Sequence, residues 1–347
     1  MNGTPTLWWN KETESLCFID QTLLPGRCTV AECKSIGQLA TAINRLEIRG
    51  APALGVAGAY GVALATCVCR KNDLPVFFSD VQKDAEILRG TRPTAINLSW
   101  GIDRVLAKIA PLRDIPSARR VALEEAEAVA REDTASCHAI GDFGAALLPD
   151  TCTILTHCNA GALACSSWGT ALGVIRSAVK SGKQVKVIAC ETRPLLQGAR
   201  LTAWELVRDG IDVTVIPDSA AAHLMRTSTI DAVIVGADRI TSDAVFNKIG
   251  TYMHAVCARH HNIPFYIAAP LSTFDSRHRE QDVTIEERGR DEVTTIGDRV
   301  FVPDASGVKN YAFDATPMDL ITAVITDHGV LRPPVPIDSI LSLKNKQ

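Results

Sequence analysis

CTILTHCNAGALACSSWGTALGVIRSAVKS, residues 152–181, is the stretch whose reading decides the fold. An apolar run ends in Thr156-His157-Cys158-Asn159, a small-residue turn Ala160-Gly161 follows, and helical spacing starts near Trp168, so the stretch reads strand, loop, helix. Cys158 then sits at the carboxyl end of a strand, the edge of an open α/β sheet where backbone N–H groups face a crevice and small ligands bind. Later strands also end in polar clusters, Glu191-Thr192-Arg193, Asp218-Ser219 and Asp238-Arg239.

Working outward toward the C-terminus, apolar runs at Val185–Cys190, Val213–Ile216, Ala232–Val235 and Phe265–Ala268 alternate with helical patterns, which predicts βαβ units and a mainly parallel sheet. No G-x-G-x-x-G follows the first strand and no Walker sequence occurs, so nucleotide binding lacks its usual physical device. Thr316-Pro317 reads as a cap and first helical position, with a helix through Leu320, Ile321, Val324 and Ile325 to Gly329; Pro333 to Gln347 reads as a tail. Asn247-Lys248-Ile249-Gly250 is expected at the start of a helix running to His260.

Toward the N-terminus, Thr6 to Asp20 predicts a hairpin, and Ile36, Leu39, Ala40, Ile43 and Leu46 follow helical spacing. The turn Ile48-Arg49-Gly50-Ala51 then presents a cation ahead of a helix beginning at Pro52, a geometry that suits an anion and equally suits a plain helix corner. Thr91-Arg92-Pro93 repeats the device before a helix through Ile102, Val105, Leu106 and Ile109. A long helix from Pro116 to about Leu148 closes this half. The expected fold is α/β: a smaller, mainly helical N-terminal domain with a short β-hairpin region, residues 1–148, followed by a Rossmann-like domain with a mainly parallel sheet, residues 149–347.

Composition narrows the function. The 347 residues carry a net charge of −3, which removes the usual argument for nucleic-acid binding while leaving room for a local basic patch. Eleven cysteines show no C-x-x-C and no zinc spacing, which predicts reduced thiols in a cytoplasmic protein. The N-terminus lacks a signal pattern. Ala51 to Cys69 is uncharged and long enough for a membrane span, but it is Ala/Gly/Val-rich and carries Pro52, so a buried helix is expected and no membrane partner.

Four groups stand at strand ends or in the following loops: Cys158, the loop Arg193 to Gln197, Asp218 and Asp238. A thiol whose pKa is lowered by a cation acts as nucleophile or base, and a carboxyl held out of water keeps its proton and acts as an acid. Taken singly, each has a structural reading as well: a core cysteine, a turn-capping aspartate, and for His157 a packed, hydrogen-bonded core histidine. Lys248 reads as a phosphate ligand or as a solvated cation.

Together with Asp20-Gln21-Thr22-Leu23-Leu24-Pro25, Arg49-Gly50-Ala51-Pro52-Ala53, Thr91-Arg92-Pro93-Thr94, Thr156 to Ala164, Glu191 to Arg200, Gly236-Ala237-Asp238-Arg239-Ile240, Asn247 to Tyr252 and Ala312 to Pro317, these groups resemble the methylthioribose-1-phosphate isomerase family. That family shares its fold with regulatory subunits of the translation-initiation exchange factor and with ribose-1,5-bisphosphate isomerases. The resemblance implies an aldose-ketose isomerase of methionine salvage, converting 5-methylthioribose 1-phosphate to 5-methylthioribulose 1-phosphate. It implies Asp238 as proton donor and Cys158 as the group assisting at C1 and C2. It implies Arg49, Gly50, Ala51, Arg92, Gln197, Asn247 and Lys248 as substrate contacts, no metal or cofactor, and a homodimer. Another pentose 1-phosphate, or a silent regulatory role, would use the same scaffold. The loop Thr241 to Phe246 and Ser166-Ser167-Trp168 depart from the family pattern around the pocket.

Overall fold

The computed structural model describes residues 5–92, 95–227 and 230–334. The chain opens with β1 (Leu7–Asn10) paired antiparallel to β2 (Ser15–Ile19), the expected hairpin, and β3 (Val30–Cys33) adds a third strand that the sequence reading lacks. β3 is short and largely exposed, and its backbone finds partners only because β2 lies beside it.

Helices follow: α1 (Ile36–Asn44), α2 (Ala51–Val68), α3 (Leu74–Thr91), α4 (Ile96–Ile109) and α5 (Ile115–Ala145). Ser35, Asp73 and Asp114 cap α1, α3 and α5, each accepting a backbone N–H from the first turn. α3 is absent from the sequence reading, although Phe77, Val81, Ala85 and Leu88 mark its buried face at helical spacing. α2 is the centre of this bundle and buried along nearly its whole length. Among the described residues it is the one helix long and apolar enough to cross a membrane, and neighbouring helices cover it as expected. Each fully buried Leu or Val there contributes roughly 1.5–3 kcal/mol. α2 meets α4 almost backbone to backbone: a Cβ on Gly101 would lie 2.0 Å from the Gly55 carbonyl oxygen. This apolar cluster draws its buried residues from Leu7 to Val129, and those in the sheet region begin at Ile140.

Beyond α5 come β4 (Thr151–Thr156), α6 (Ala171–Lys180), β5 (Gln184–Cys190), α7 (Ala203–Arg208), β6 (Asp212–Ile216), α8 (Ala221–Thr227) and β7 (Ala232–Val235). α6 starts three residues later than expected, because Trp168 and Gly169 take positive φ of 61° and 87° and cannot continue a right-handed helix. Next are β8 (Arg239–Ile240), β9 (Ala244–Lys248), α9 (Thr251–His260), β10 (Phe265–Ala268), the small hairpin β11 (Thr295–Ile296) and β12 (Arg299–Val300), β13 (Phe313–Pro317), β14 (Ala323–Thr326) and β15 (Gly329–Leu331). The seven-stranded sheet has the order β15-β14-β10-β7-β4-β5-β6, parallel except for β15. Chain order runs outward one way through β4, β5 and β6 and the other way through β7, β10 and β14. The reversal falls between β4 and β7, the topological switch point where doubly wound sheets open a crevice.

Two expectations fail here. Residues 316–329 form no long helix: Thr316 and Pro317 end β13, and Ala323–Thr326 is a sheet strand buried on both faces. A doubly buried strand reads as a continuous apolar run, and Leu320, Ile321, Val324 and Ile325 happen to satisfy helical spacing as well. Asn247 and Lys248 precede α9 and lie on β9, held between β8 and β13 in a separate three-stranded sheet. Of the motif at Arg92, Pro93 and Thr94 lie outside the described residues, as does the tail from 335 onward.

Candidate active site

Cys158 follows β4 and Asp238 follows β7, so the two adjacent strands at the switch point deliver thiol and carboxyl to one crevice. A single cleft of about 1190 Å³, counted out to its mouth, is lined by all nine residues singled out from the sequence: Arg49, Gly50, Ala51, Arg92, Cys158, Gln197, Asp238, Asn247 and Lys248. Of the other strand-end groups, Asp218 does not line it. Its carboxylate accepts the Thr192 and Arg193 N–H groups at 2.7 Å each and so holds the loop carrying Gln197. Arg193 turns away to the carbonyls of Pro194 and Val293.

Cys158 has φ +63°, a left-handed conformation that costs a non-glycine residue on the order of 1 kcal/mol or more. Two hydroxyls hold it there. Its N–H donates to Thr192 Oγ1 at 2.8 Å and its carbonyl accepts from Thr202 Oγ1 at 2.6 Å. His157 is a buried, hydrogen-bonded core histidine as expected, with Nε2 2.8 Å from the Ile249 carbonyl and Nδ1 3.2 Å from His254 Nε2. It ties the Cys158 strand end to the segment carrying Asn247 and Lys248. Burial drives its pKa down to about 4 and that of His254 to about 3, so the pair is neutral.

Gly50 caps α2 with φ +92°, and a Cβ there would lie 2.5 Å from Ala164 Cα, so only glycine lets the turn press against the loop after Cys158. No side chain caps the first turn of α2. Arg49 is 9% exposed; its Nη2 donates to the Asn159 carbonyl at 2.7 Å and to Asn159 Oδ1 at 2.8 Å. Across the cleft, Arg92 Nη2 reaches Glu286 Oε2 at 3.3 Å. Glu286 belongs to the connection between β10 and β13, whose Val283, Thr284, Ile285 and Arg288 also line the cleft.

Cys158 and Asp238 are each half-buried, and both sit deep enough for burial to dominate their titration. Burial raises the Asp238 carboxyl pKa, opposed by Lys248, Arg92 and Arg49. Burial also raises the Cys158 thiol against the pull of Arg49 and Lys248. Lys248, 6% exposed and over the Phe313 ring at 4.9 Å, is pushed down by burial, and Cys158 and Asp238 push it back up. Among the described residues, three buried polar atoms of the cleft have no partner: Arg49 Nε, Arg92 Nε and Gln197 Oε1. Unpaired buried donors and acceptors are costly, and converging in one crevice they describe a site shaped for a polar, anionic ligand. Its other walls are apolar, with Leu46, Leu54, Phe246, Val283, Ile285 and Phe313.

Sequence reasoning missed Glu286 and Arg288, which no local pattern marks, and the supporting Asn159, Thr192, Thr202 and Glu205. Asn159 stands next to Cys158, the one signal that could have singled it out.

Comparison with known proteins gives one answer. The family described as Initiation factor 2 subunit family matches residues 47–333. The chain is 52% identical over 336 residues to the putative methylthioribose-1-phosphate isomerase of Methanosarcina acetivorans, covering 97% of each. Among solved structures, 5-methylthioribose 1-phosphate isomerase from Pyrococcus horikoshii is 40% identical with a TM-score of 0.90, covering 98% of this chain and 96% of that one. The translation initiation factor eIF-2B subunit delta from A. fulgidus is 49% identical with a TM-score of 0.87, covering 98% of this chain and all of that one. The chain belongs to the methylthioribose-1-phosphate isomerase branch of the initiation factor 2 subunit family.

Proposed function

We propose that the protein isomerises 5-methylthioribose 1-phosphate to 5-methylthioribulose 1-phosphate, a step of methionine salvage. The observation that carries this reading is the placement of Cys158 and Asp238 in one cleft among Arg49, Arg92 and Lys248, with the Asp238 carboxyl pKa raised by burial. A phosphate on C1 prevents the spontaneous ring opening of a free sugar, so the ring oxygen must be protonated by the enzyme. Asp238, whose pKa burial shifts toward the protonated form, is suited to that general-acid step. The cations and the first turn of α2 are suited to the phosphate, and the apolar walls to a thioether-bearing C5.

Hydrogen must then pass from C2 to C1. Cys158 rests as a thiol, a poor base, which favours direct hydride transfer with the sulfur beside the developing charge over proton abstraction by a thiolate. In the balanced reaction the proton from Asp238 goes to the ring oxygen as its bond to C1 breaks, the C2 hydrogen moves with its electron pair to C1, and the C2 hydroxyl proton returns to the Asp238 carboxylate as the ketone forms. Cytoplasmic residence and a homodimer complete the reading; light scattering at the 37.3 kDa monomer mass would remove the dimer.

The test is to incubate purified protein with 5-methylthioribose 1-phosphate, 5-deoxyribose 1-phosphate and ribose 1,5-bisphosphate and follow ketose formation. Preference for the first is expected, and no ketose from any of them would sink the proposal. Run in D₂O, hydride transfer leaves C1 of the product free of solvent deuterium, whereas a thiolate and enediol route puts deuterium there.

A further inference from the structure

A buried carboxylate outside the cleft shares a partner, Asn159, with one of its cations. Glu205 on α7 is 0% exposed, and its oxygens accept from Asn159 Nδ2 at 2.9 Å, the Ala162 N–H at 2.8 Å and the Leu163 N–H at 3.3 Å. Arg176 Nη2, at 2.8 Å, supplies the countercharge and also pairs with Asp209 at 2.5 Å. The space is closed: a Cβ on Gly161 would lie 2.4 Å from Glu205 Oε1.

We infer that Glu205 is a positioning residue for Arg49, setting which way round the Asn159 amide lies and thereby the aim of Arg49 into the cleft. An amide has a donor end and an acceptor end. Facing an anion, Asn159 must present its NH₂, which leaves Oδ1 for the Arg49 guanidinium; the reverse orientation would set oxygen against carboxylate and NH₂ against guanidinium. In the observed orientation Oδ1 and the Asn159 carbonyl both grip Arg49 Nη2, while Arg49 Nε remains buried and unpartnered. The guanidinium is thus pinned by one nitrogen with the rest of its edge free for a phosphate. Thr202 Oγ1 joins the same assembly, 3.2 Å from Asn159 Nδ2 and donating to the Cys158 carbonyl.

This inference rests on the proposed reading in which Arg49 meets the substrate phosphate. It is tested with Glu205→Gln, Arg49→Met and the double variant, measuring kcat and KM for the sugar phosphate and, by calorimetry, the affinity for inorganic phosphate. Glu205→Gln is expected to raise KM and weaken phosphate binding about tenfold with a much smaller change in kcat, and to change neither by more than twofold in the Arg49→Met background. That non-additivity is the mark of one residue acting through another. Leu88→Ala, in the helical core, lowers stability and leaves KM unchanged, which separates aim from stability. Should Glu205→Gln not fold, Asn159→Ala takes its place in the same cycle, with the same non-additivity expected. A folded Glu205→Gln with wild-type phosphate affinity, or a full additional loss on top of Arg49→Met, overturns the inference. Phosphate binding needs no turnover, so a wild type that fails to isomerise any sugar phosphate removes the functional reading and leaves the coupling measurable.

Discussion

Replacing Gly50 with alanine perturbs the cleft without touching any polar group in it. Two costs can be worked from the structure. The residue sits at φ +92°, where a Cβ strains the backbone by about 1–3 kcal/mol. The new methyl would lie 2.5–2.6 Å from the Cα, Cβ and carbonyl oxygen of Ala164, so backbone has to move, at about 1–3 kcal/mol for overpacking. If the turn stays in place, the sum of about 2–6 kcal/mol appears as a fall in Tm of several degrees. If it recoils instead, Arg49 and Ala51 shift relative to Cys158, and a displacement on the order of 1 Å costs about 10²-fold in rate. Differential scanning calorimetry together with kcat/KM reads both. Gly37→Ala is the control: it lies in α1 with no atom within 4 Å of the added carbon and should be neutral or stabilising by up to about 1 kcal/mol. A Gly50→Ala protein matching wild type in both Tm and rate refutes the argument that this contact sets the site.

Asp238→Asn should lower kcat by about 10²- to 10⁴-fold. Its carboxyl is raised in the fold, so the folded state binds more protons than the unfolded chain between the two pKa values and stability falls as pH rises through that window. Asp238→Asn should therefore keep or raise Tm at pH 7, and a kcat within threefold of wild type would exclude Asp238 as the acid. Cys158, a thiol in the resting cleft, should react with iodoacetamide at pH 7 more slowly than the exposed Cys28, and more slowly still with phosphate bound; mass spectrometry showing Cys158 modified first contradicts this. The neutral histidine pair works in the opposite sense to Asp238. His157 and His254 are depressed from 6.5 to about 4 and about 3, so the stability they carry is full above pH 6.5 and is lost as pH falls through these values, by about 3 kcal/mol for His157. His254→Phe should make the fall in Tm between pH 6.5 and 4 shallower, and an unchanged slope argues against the pair as an acid-sensitive joint.

The parallel strands were legible because they reach the sequence as short apolar runs ended by polar residues, β7 and β10 being buried on both faces. Cys158 and Asp238 stood out for the same reason, lying in the loops just past β4 and β7. That these two strands are neighbours was not legible: strand order depends on pairings between residues about 80 apart, such as Leu155 with Val233. The same apolar signal misled at 316–329, where strand and helix periods coincide over a few positions. Lys248 and Asn247 were found by motif and misplaced by local pattern, since β9 exists only through its pairing with β13 and β8. Glu205 is a charged residue in a short helix with nothing around it in sequence to betray full burial. Its partners come from the loop after β4 and from Arg176 on α6.

The near-contact of α2 with α4 reaches beyond packing. With the Gly55 carbonyl oxygen under Gly101 there is no side-chain layer to compress, so α2 behaves as a fixed strut and the Arg49-Gly50-Ala51 turn at its head as an anvil. A substrate must fit that anvil as it finds it. Any accommodation of a bulkier or more polar group at the far end of the sugar falls to the opposite wall, the Val283 to Arg288 connection, which is joined to the helical bundle through Glu286 and Arg92. Redirecting this scaffold to a different pentose phosphate is therefore a matter of rebuilding the connection, with the turn left alone.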